Sequence, residues 1–238
     1  MTALLKVTDL VSGYLNRPVL HGVSLQLNSG DAVAIIGPNG HGKTTFLRCL
    51  SGLLKATSGT ISFLGQDVSH EPAHRRVAGG MVHVPQGDQL FADMSVEENL
   101  FMGAYRAEKG ANLKYRLDEV YALFPRLAER RGQVTKSLSG GERRMVGIGR
   151  GLMAKGELLI LDEPSLGLAP KVIEEIYAAL VEKRRDGASI LIVEEDPSRV
   201  SKVADQIYLM DAGHFVWSGS PDEAAASEDV MQTYLGGK

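Results

Sequence analysis

Ala32-Val33-Ala34-Ile35-Ile36-Gly37-Pro38-Asn39-Gly40-His41-Gly42-Lys43-Thr44-Thr45 decides the fold. The unbroken apolar run Ala32–Ile36 is what a strand buried on both faces of a parallel sheet requires. After the glycine-rich loop, Phe46, Leu47, Leu50, Leu53 and Leu54 recur at helical spacing, which places a helix from about Lys43. A strand, such a loop and a helix N-terminus aim several backbone N–H groups at one point, and the helix dipole adds to their pull on an anion. Glycines let the backbone come close to a phosphate that side chains would hold off. In this pattern the loop from Gly37 through Asn39, Gly40, His41 and Gly42 to Thr45 cradles phosphates. Lys43 reaches the β- and γ-phosphates, and the Thr44 hydroxyl ligates Mg²⁺. The plain alternative, a glycine-rich turn before an ordinary helix, leaves the register of Gly, Lys and Thr unexplained.

A second buried run, Leu158–Leu161, delivers Asp162 and Glu163 at its C-terminal end, where α/β sheets place their ligands. Alone, an acidic pair there marks only a strand end. Beside a phosphate loop, Asp162 holds Mg²⁺ and Glu163 orients and polarises the attacking water. Gln86 follows the strand-like Met81–Val84 and could bring an amide to the same metal and water; alone, a Pro-Gln turn is only a turn. Leu138-Ser139-Gly140-Gly141-Glu142 opens a helical stretch with Met145, Ile148 and Leu152. Ser139, the glycines and that helix N-terminus make a second anion-binding device. One nucleotide has one γ-phosphate, so a second cradle suggests use on another chain's nucleotide.

Further out, Ile190–Val193 is another buried strand, and Leu4–Leu10, Val23–Leu27 and Thr60–Phe63 read as an antiparallel layer beside the parallel core. Helical spacing recurs in Leu113, Leu117, Val120 and Phe124, and again from Val172 to Val181 after Pro170. Capping boxes stand at Ser95…Glu98 and Ser220…Glu223. The interval Phe91–Lys136 reads as an inserted, mostly helical and charged piece. The 238 residues are 44% hydrophobic and 23% charged, which excludes a disordered chain. No apolar run reaches the roughly 18 residues of a spanning helix. Met1–Asp9 lacks a signal peptide's pattern, so the expectation is a chain neither secreted nor membrane-spanning by itself. A single cysteine, Cys49, excludes an internal disulfide, fits a reducing cytoplasm and reads as core. Net charge −3 argues against a generic grip on nucleic acid or anionic lipid. The histidines show no metal spacing. Arg143-Arg144 read as making ionic contacts, and Lys183-Arg184-Arg185 as a solvated helix end.

With these motifs in this order, the chain resembles the ATP-binding subunit of an ABC transporter along essentially its whole length. The resemblance implies the P-loop ABC ATPase fold: residues 1–238 as one nucleotide-binding domain of α/β class, with a parallel-sheet core, an antiparallel β layer and a helical subdomain at about 91–153. It implies ATP and Mg²⁺ as ligands, with Tyr14 stacking under adenine. It further implies a head-to-tail dimer with a second ATPase subunit, in which Ser139, Gly140 and Gly141 meet the ATP of the facing subunit. Two membrane permease subunits and, indirectly, a periplasmic solute-binding protein complete the assembly, which would place the chain at the cytoplasmic face of a bacterial inner membrane without nucleic acid.

Within the family, Ser165–Pro170, Ser95–Leu100, Leu123–Leu127 and Tyr234–Gly237 resemble the shorter ATPase subunit of bacterial branched-chain amino-acid importers. Urea and short-amide importers use the same subfamily. A soluble ABC ATPase and a nucleotide-binding module without turnover are the other readings. The chain departs from the family at three positions. Glu195 stands where many members carry a histidine that contacts the γ-phosphate, Ala169 where an aspartate is usual, and His41 where a small residue is usual.

Overall fold

The computed structural model describes residues 3–15, 17–87, 89–105, 111–227 and 230. The apolar runs become the centre of a six-stranded sheet, ordered β10-β9-β3-β8-β7-β6. Its parallel strands are β3 (Ala32–Ile36), β6 (Met81–Val84), β7 (Leu158–Asp162), β8 (Ser189–Glu194) and β9 (Gln206–Asp211), and β10 (His214–Gly219) is an antiparallel edge. Every residue of β3, β7 and β8 is buried. Register aligns Ile36 with Glu194 and Asp162 with Val193, so the loops after β3, β7 and β8 leave the sheet side by side. The second sheet is antiparallel, ordered β2-β1-β4-β5: β1 (Leu5–Tyr14), β2 (Arg17–Leu27), β4 (Ser58–Phe63) and β5 (Gln66–Asp67).

Alternation along β3 divides the interior into two cores. Val33 and Ile35 face Phe46, Leu47 and Leu50 of helix α1 (Lys43–Leu50), which lies between the two sheets against Leu5, Leu10 and Leu20. Ala32, Ala34 and Ile36 face the opposite side. The helices after α1 are α2 (Ala73–Ala78), α3 (Val96–Gly103), α4 (Ala111–Leu123), α5 (Pro125–Glu129), α6 (Gly140–Met153), α7 (Pro170–Arg185), α8 (Pro197–Val200) and α9 (Pro221–Ala226). Met145, Val146 and Ile148 of α6 meet Val96, Leu100, Val120 and Leu127 in that second core.

Three expectations need correction. Leu53 and Leu54 lie beyond α1, because Gly52 (φ 73°) ends it: Gly52 N–H donates to Cys49 O and Leu53 N–H to Arg48 O, a Schellman cap. The buried guanidinium of Arg76 completes that end, donating to Cys49 O and Leu50 O at 2.7 Å each, and to Ser69 O and Glu71 O. The β9–β10 hairpin was not expected. Residues 183–185 are no purely solvated end, since Lys183 pairs with Asp186 at 2.9 Å and reaches Glu119 at 3.8 Å, and Arg184 pairs with Asp205. Cys49 is core, as expected. The Tyr234–Gly237 stretch lies outside the described residues.

His83 sits on edge strand β6, and among the described residues its Nε2 is a buried nitrogen with no hydrogen-bond partner. Burial first, then Arg48 and Arg144, pushes its pKa from 6.5 down to about 4. The fold therefore holds His83 neutral, whereas the unfolded chain takes up its proton near pH 6.5. Its full contribution is present above that pH and is lost as pH falls towards 4. Wild type should lose about 2–3 kcal/mol more stability than His83→Leu between pH 7.5 and 4.5, measured by urea unfolding at both pH values. Parallel losses would show that His83 stays uncoupled from protons.

Candidate functional site

The phosphate loop is shaped by contacts inside the protein before any ligand is considered. At Gly37 (φ 152°) a Cβ would lie 2.2 Å from the carbonyl oxygen of Met210 on β9, so only glycine fits there. Gly42 (φ 108°) is the N-cap of α1, and it brings neither a side-chain cap nor an acidic residue in the first turn. Helices α3, α6 and α9 each begin with a serine cap and a reciprocal glutamate. The first-turn N–H groups and positive dipole end of α1 thus lack a side-chain cap of their own, which suits them to an anion.

Five predicted residues from distant parts of the chain come together beside this helix end. Lys43, 4% exposed, donates from Nζ to Gly37 O at 2.7 Å and Pro38 O at 3.1 Å, and lies 3.6 Å from Glu163 Oε1. Gln86 Nε2 donates to Glu163 Oε2 at 2.9 Å, and Thr44 Oγ1 to Asp162 Oδ1 at 3.3 Å. Lys43, Thr44, Gln86 and Glu163 line one cleft of about 280 Å³ with Asn39, Gly40, Gly42, Thr45 and Leu166. Larger cavities of about 450 and 700 Å³ lie elsewhere and hold none of these groups.

Glu163 adopts a left-handed backbone (φ 44°), which costs a non-glycine residue roughly 1–2 kcal/mol. Its N–H donates to Val193 O at 3.0 Å. Burial, then the neighbouring Glu163, raises the Asp162 pKa to about 6, against the Thr44 hydrogen bond and the charges of Arg144 and Lys43. A divalent cation here would relieve that crowding. Among the described residues no group of three His, Cys, Asp or Glu forms a protein-only metal site. The Thr44 hydroxyl and Asp162 carboxylate are instead the sparse hard-oxygen donors that Mg²⁺ takes alongside phosphate oxygens.

The other predicted residues lie around or apart from this cleft. Ser139 and Gly140 are exposed at the start of α6, and neither they nor Gly141 line the cleft. Ser139 forms a capping box with Glu142, at the same spacing as those at Ser95 and Ser220. Burial pushes the Glu142 carboxyl up, but its Ser139 hydrogen bonds and Arg130 at 2.7 Å hold it below the usual range. Tyr14 ends β1 half-exposed, its hydroxyl accepting from Arg48 Nη1 at 3.1 Å. The His41 imidazole turns onto Asp211, with Nδ1 2.7 Å from Oδ1, and is not in the cleft lining. Glu195 is exposed and lines the separate 700 Å³ cavity between α8 and α9 rather than the cleft. Ala169 caps α7. Arg144, expected to make ionic contacts, also binds four backbone carbonyls that sequence reasoning missed, two of them flanking Glu163.

A phosphate loop, an aligned acidic pair and a second exposed helix start define a nucleoside-triphosphatase cassette. The chain belongs to the ABC transporter family, whose profile matches residues 20–166, as a nucleotide-binding and ATP-hydrolysing subunit. It is 39% identical over 230 residues to the high-affinity branched-chain amino acid transport ATP-binding protein BraG of Pseudomonas aeruginosa, covering 96% of this chain and 98% of that one. It is 33% identical over 236 residues to the lipopolysaccharide export system ATP-binding protein LptB of Escherichia coli, covering 98% of each. A crystal structure of an ABC transporter's ATP-binding cassette in its ADP conformation superposes with a TM-score of 0.85 at 27% identity, over 99% of this chain and 100% of that one.

Lys43→Ala removes a charged donor at the loop. ATP affinity should fall about 10–100-fold by titration calorimetry, the worth of one charge-assisted hydrogen bond. Unchanged affinity would separate Lys43 from phosphate binding.

Proposed function

We propose that this chain is an ATPase subunit of an importer for branched-chain or related amino acids, at the cytoplasmic face of a bacterial membrane. The observation that carries the catalytic part is the Lys43–Glu163–Gln86 cluster at an uncapped helix N-terminus. Identity to BraG at 39%, against 33% to LptB, supports the import reading over export. Urea and short-amide importers remain the related alternative, since the cargo does not touch this subunit.

In this reading the loop N–H groups and Lys43 bind the phosphates. Glu163 accepts a hydrogen bond from a water in line with the γ-phosphorus. Gln86 fixes the opposite carboxylate oxygen, so that Glu163 keeps one orientation. As the new O–P bond forms, the bond to the β-γ bridging oxygen breaks, giving ADP and phosphate. Mg²⁺ held by Thr44 and Asp162, with Gln86 as a further ligand, would neutralise charge on the transferring group. Tyr14 supplies a face for adenine.

Family members work as dimers with membrane permease subunits. The 280 Å³ cleft is at the small end for a ligand site, which supports completion by a facing subunit. Ser139, Gly140 and Gly141 would reach that subunit's ATP. ATP then favours the closed dimer and hydrolysis releases it. Among the described residues no helix is long and apolar enough to cross a membrane. Attachment would therefore run through the permeases, near a cavity of about 420 Å³ that includes Phe91, Met102 and Tyr105, all exposed. A periplasmic solute-binding protein would join through those permeases, and nucleic acid has no part.

Glu163→Gln should keep ATP affinity near wild type while phosphate release falls roughly 10²–10⁴-fold. Wild-type turnover in that variant would remove Glu163 from the chemistry. Phe91→Ala should lower transport in vesicles reconstituted with the permeases and binding protein, while ATP hydrolysis by the isolated subunit persists. Equal loss of both would mark a folding defect instead.

A further inference from the structure

Arg144 is 4% exposed on α6, and its guanidinium donates to two pairs of carbonyls. Nη1 meets Pro85 O at 2.8 Å and Gly87 O at 2.9 Å, which bracket Gln86. Nη2 meets Asp162 O at 2.8 Å and Nε meets Pro164 O at 3.2 Å, which bracket Glu163. Gln86 and Glu163 lie 77 residues apart in sequence, yet their side chains meet at 2.9 Å. Both follow strand ends, where regular ladder pairing stops; at Glu163 one backbone bond to β8 persists, from its N–H to Val193 O. Glu163 in addition holds a left-handed conformation that needs support from its surroundings.

We propose that Arg144 is a positioning residue for hydrolysis, setting the mutual geometry of Gln86 and Glu163 by pinning the backbone on both sides of each. The planar fork of five donors suits this task, because it reaches separate carbonyls from one rigid group. A lysine ammonium, a single point of donors, cannot span both loops. The inference rests on the assignment of Glu163 to the attacking water. Small displacements of such a group cost rate far more than binding. The loss therefore falls on kcat and spares KM, whereas general loosening of the fold would move both.

The test uses the full chain with Arg144→Gln, Arg144→Lys and Glu163→Gln, singly and combined. Thermal melting confirms the fold of each variant. Arg144→Gln should lower kcat for ATP by about tenfold or more, with KM within about twofold of wild type. Arg144→Lys keeps the buried charge and should fail to restore the rate; it also replaces Arg144→Gln in the comparison should the latter not fold. With Glu163 already replaced, single-turnover measurements should show little further loss from the Arg144 substitution, since no carboxylate is left to position. Wild-type kcat in Arg144→Gln overturns the proposal, as does full rescue by lysine. An equal loss in both Glu163 backgrounds overturns it too, by showing a purely structural role. If Glu163→Gln hydrolyses at the wild-type rate, the assignment of Glu163 has failed and the Arg144 inference falls with it. An inert Glu163→Gln beside a normal Arg144→Gln removes the Arg144 inference alone.

Discussion

Carbonyl groups at and just past the ends of parallel strands and helices lose the regular partners of the element, and in this protein buried cations answer many of them. Lys43, Arg76 and Arg144 are each at most 4% exposed. Each carries a charge that burial would strongly disfavour without compensation, and each donates to two or four backbone carbonyls. The result is one brace: α1 is tied at its start through Lys43 and at its end through Arg76, while α6 is tied to the loops after β6 and β7 through Arg144.

Local pattern made the centre of the fold legible. The runs Ala32–Ile36, Leu158–Leu161 and Ile190–Val193 are buried strands, and the glycine loop sits between strand and helix as its composition requires. Legibility ends where one local signal competes with another. The apolar spacing of α1 runs on into Leu53 and Leu54, but Gly52 halts the helix first. On β10, exposed and half-buried positions alternate at a sheet edge, a weak pattern beside the continuous runs of the core.

Of the candidate site, the residue types were readable and their contacts only partly so. Lys43, Thr44, Asp162 and Glu163 could be named from spacing, because strand ends and helix starts fix where they point. The pairing of Gln86 with Glu163 depends on β6 lying beside β7, which no local window contains. Arg144 carries no sequence signal for its carbonyl partners. Those carbonyls belong to loops 18 to 59 residues away, and backbone oxygens look alike in any sequence. His41 was legible as an atypical loop residue, but its partner Asp211 lies 170 positions on.

That last contact has a consequence for how the protein is made. The phosphate loop near residue 40 is backed by β9 and the turn after it: Met210 O closes on Gly37, Asp211 holds the His41 imidazole, and Gly213 N–H donates to His41 O at 3.0 Å. The strands flanking β3 are β8 and β9, so both its neighbours also come from the last quarter of the chain. A ribosome that has synthesised the loop has therefore produced neither of the strands that flank β3, and the loop reaches its final shape after the hairpin at 211–214 has emerged. Such long-range closure slows folding relative to locally wired domains. It also ties nucleotide capture to the synthesis of β9, so a truncated chain ending before β9 would carry the whole glycine motif without the architecture that shapes it.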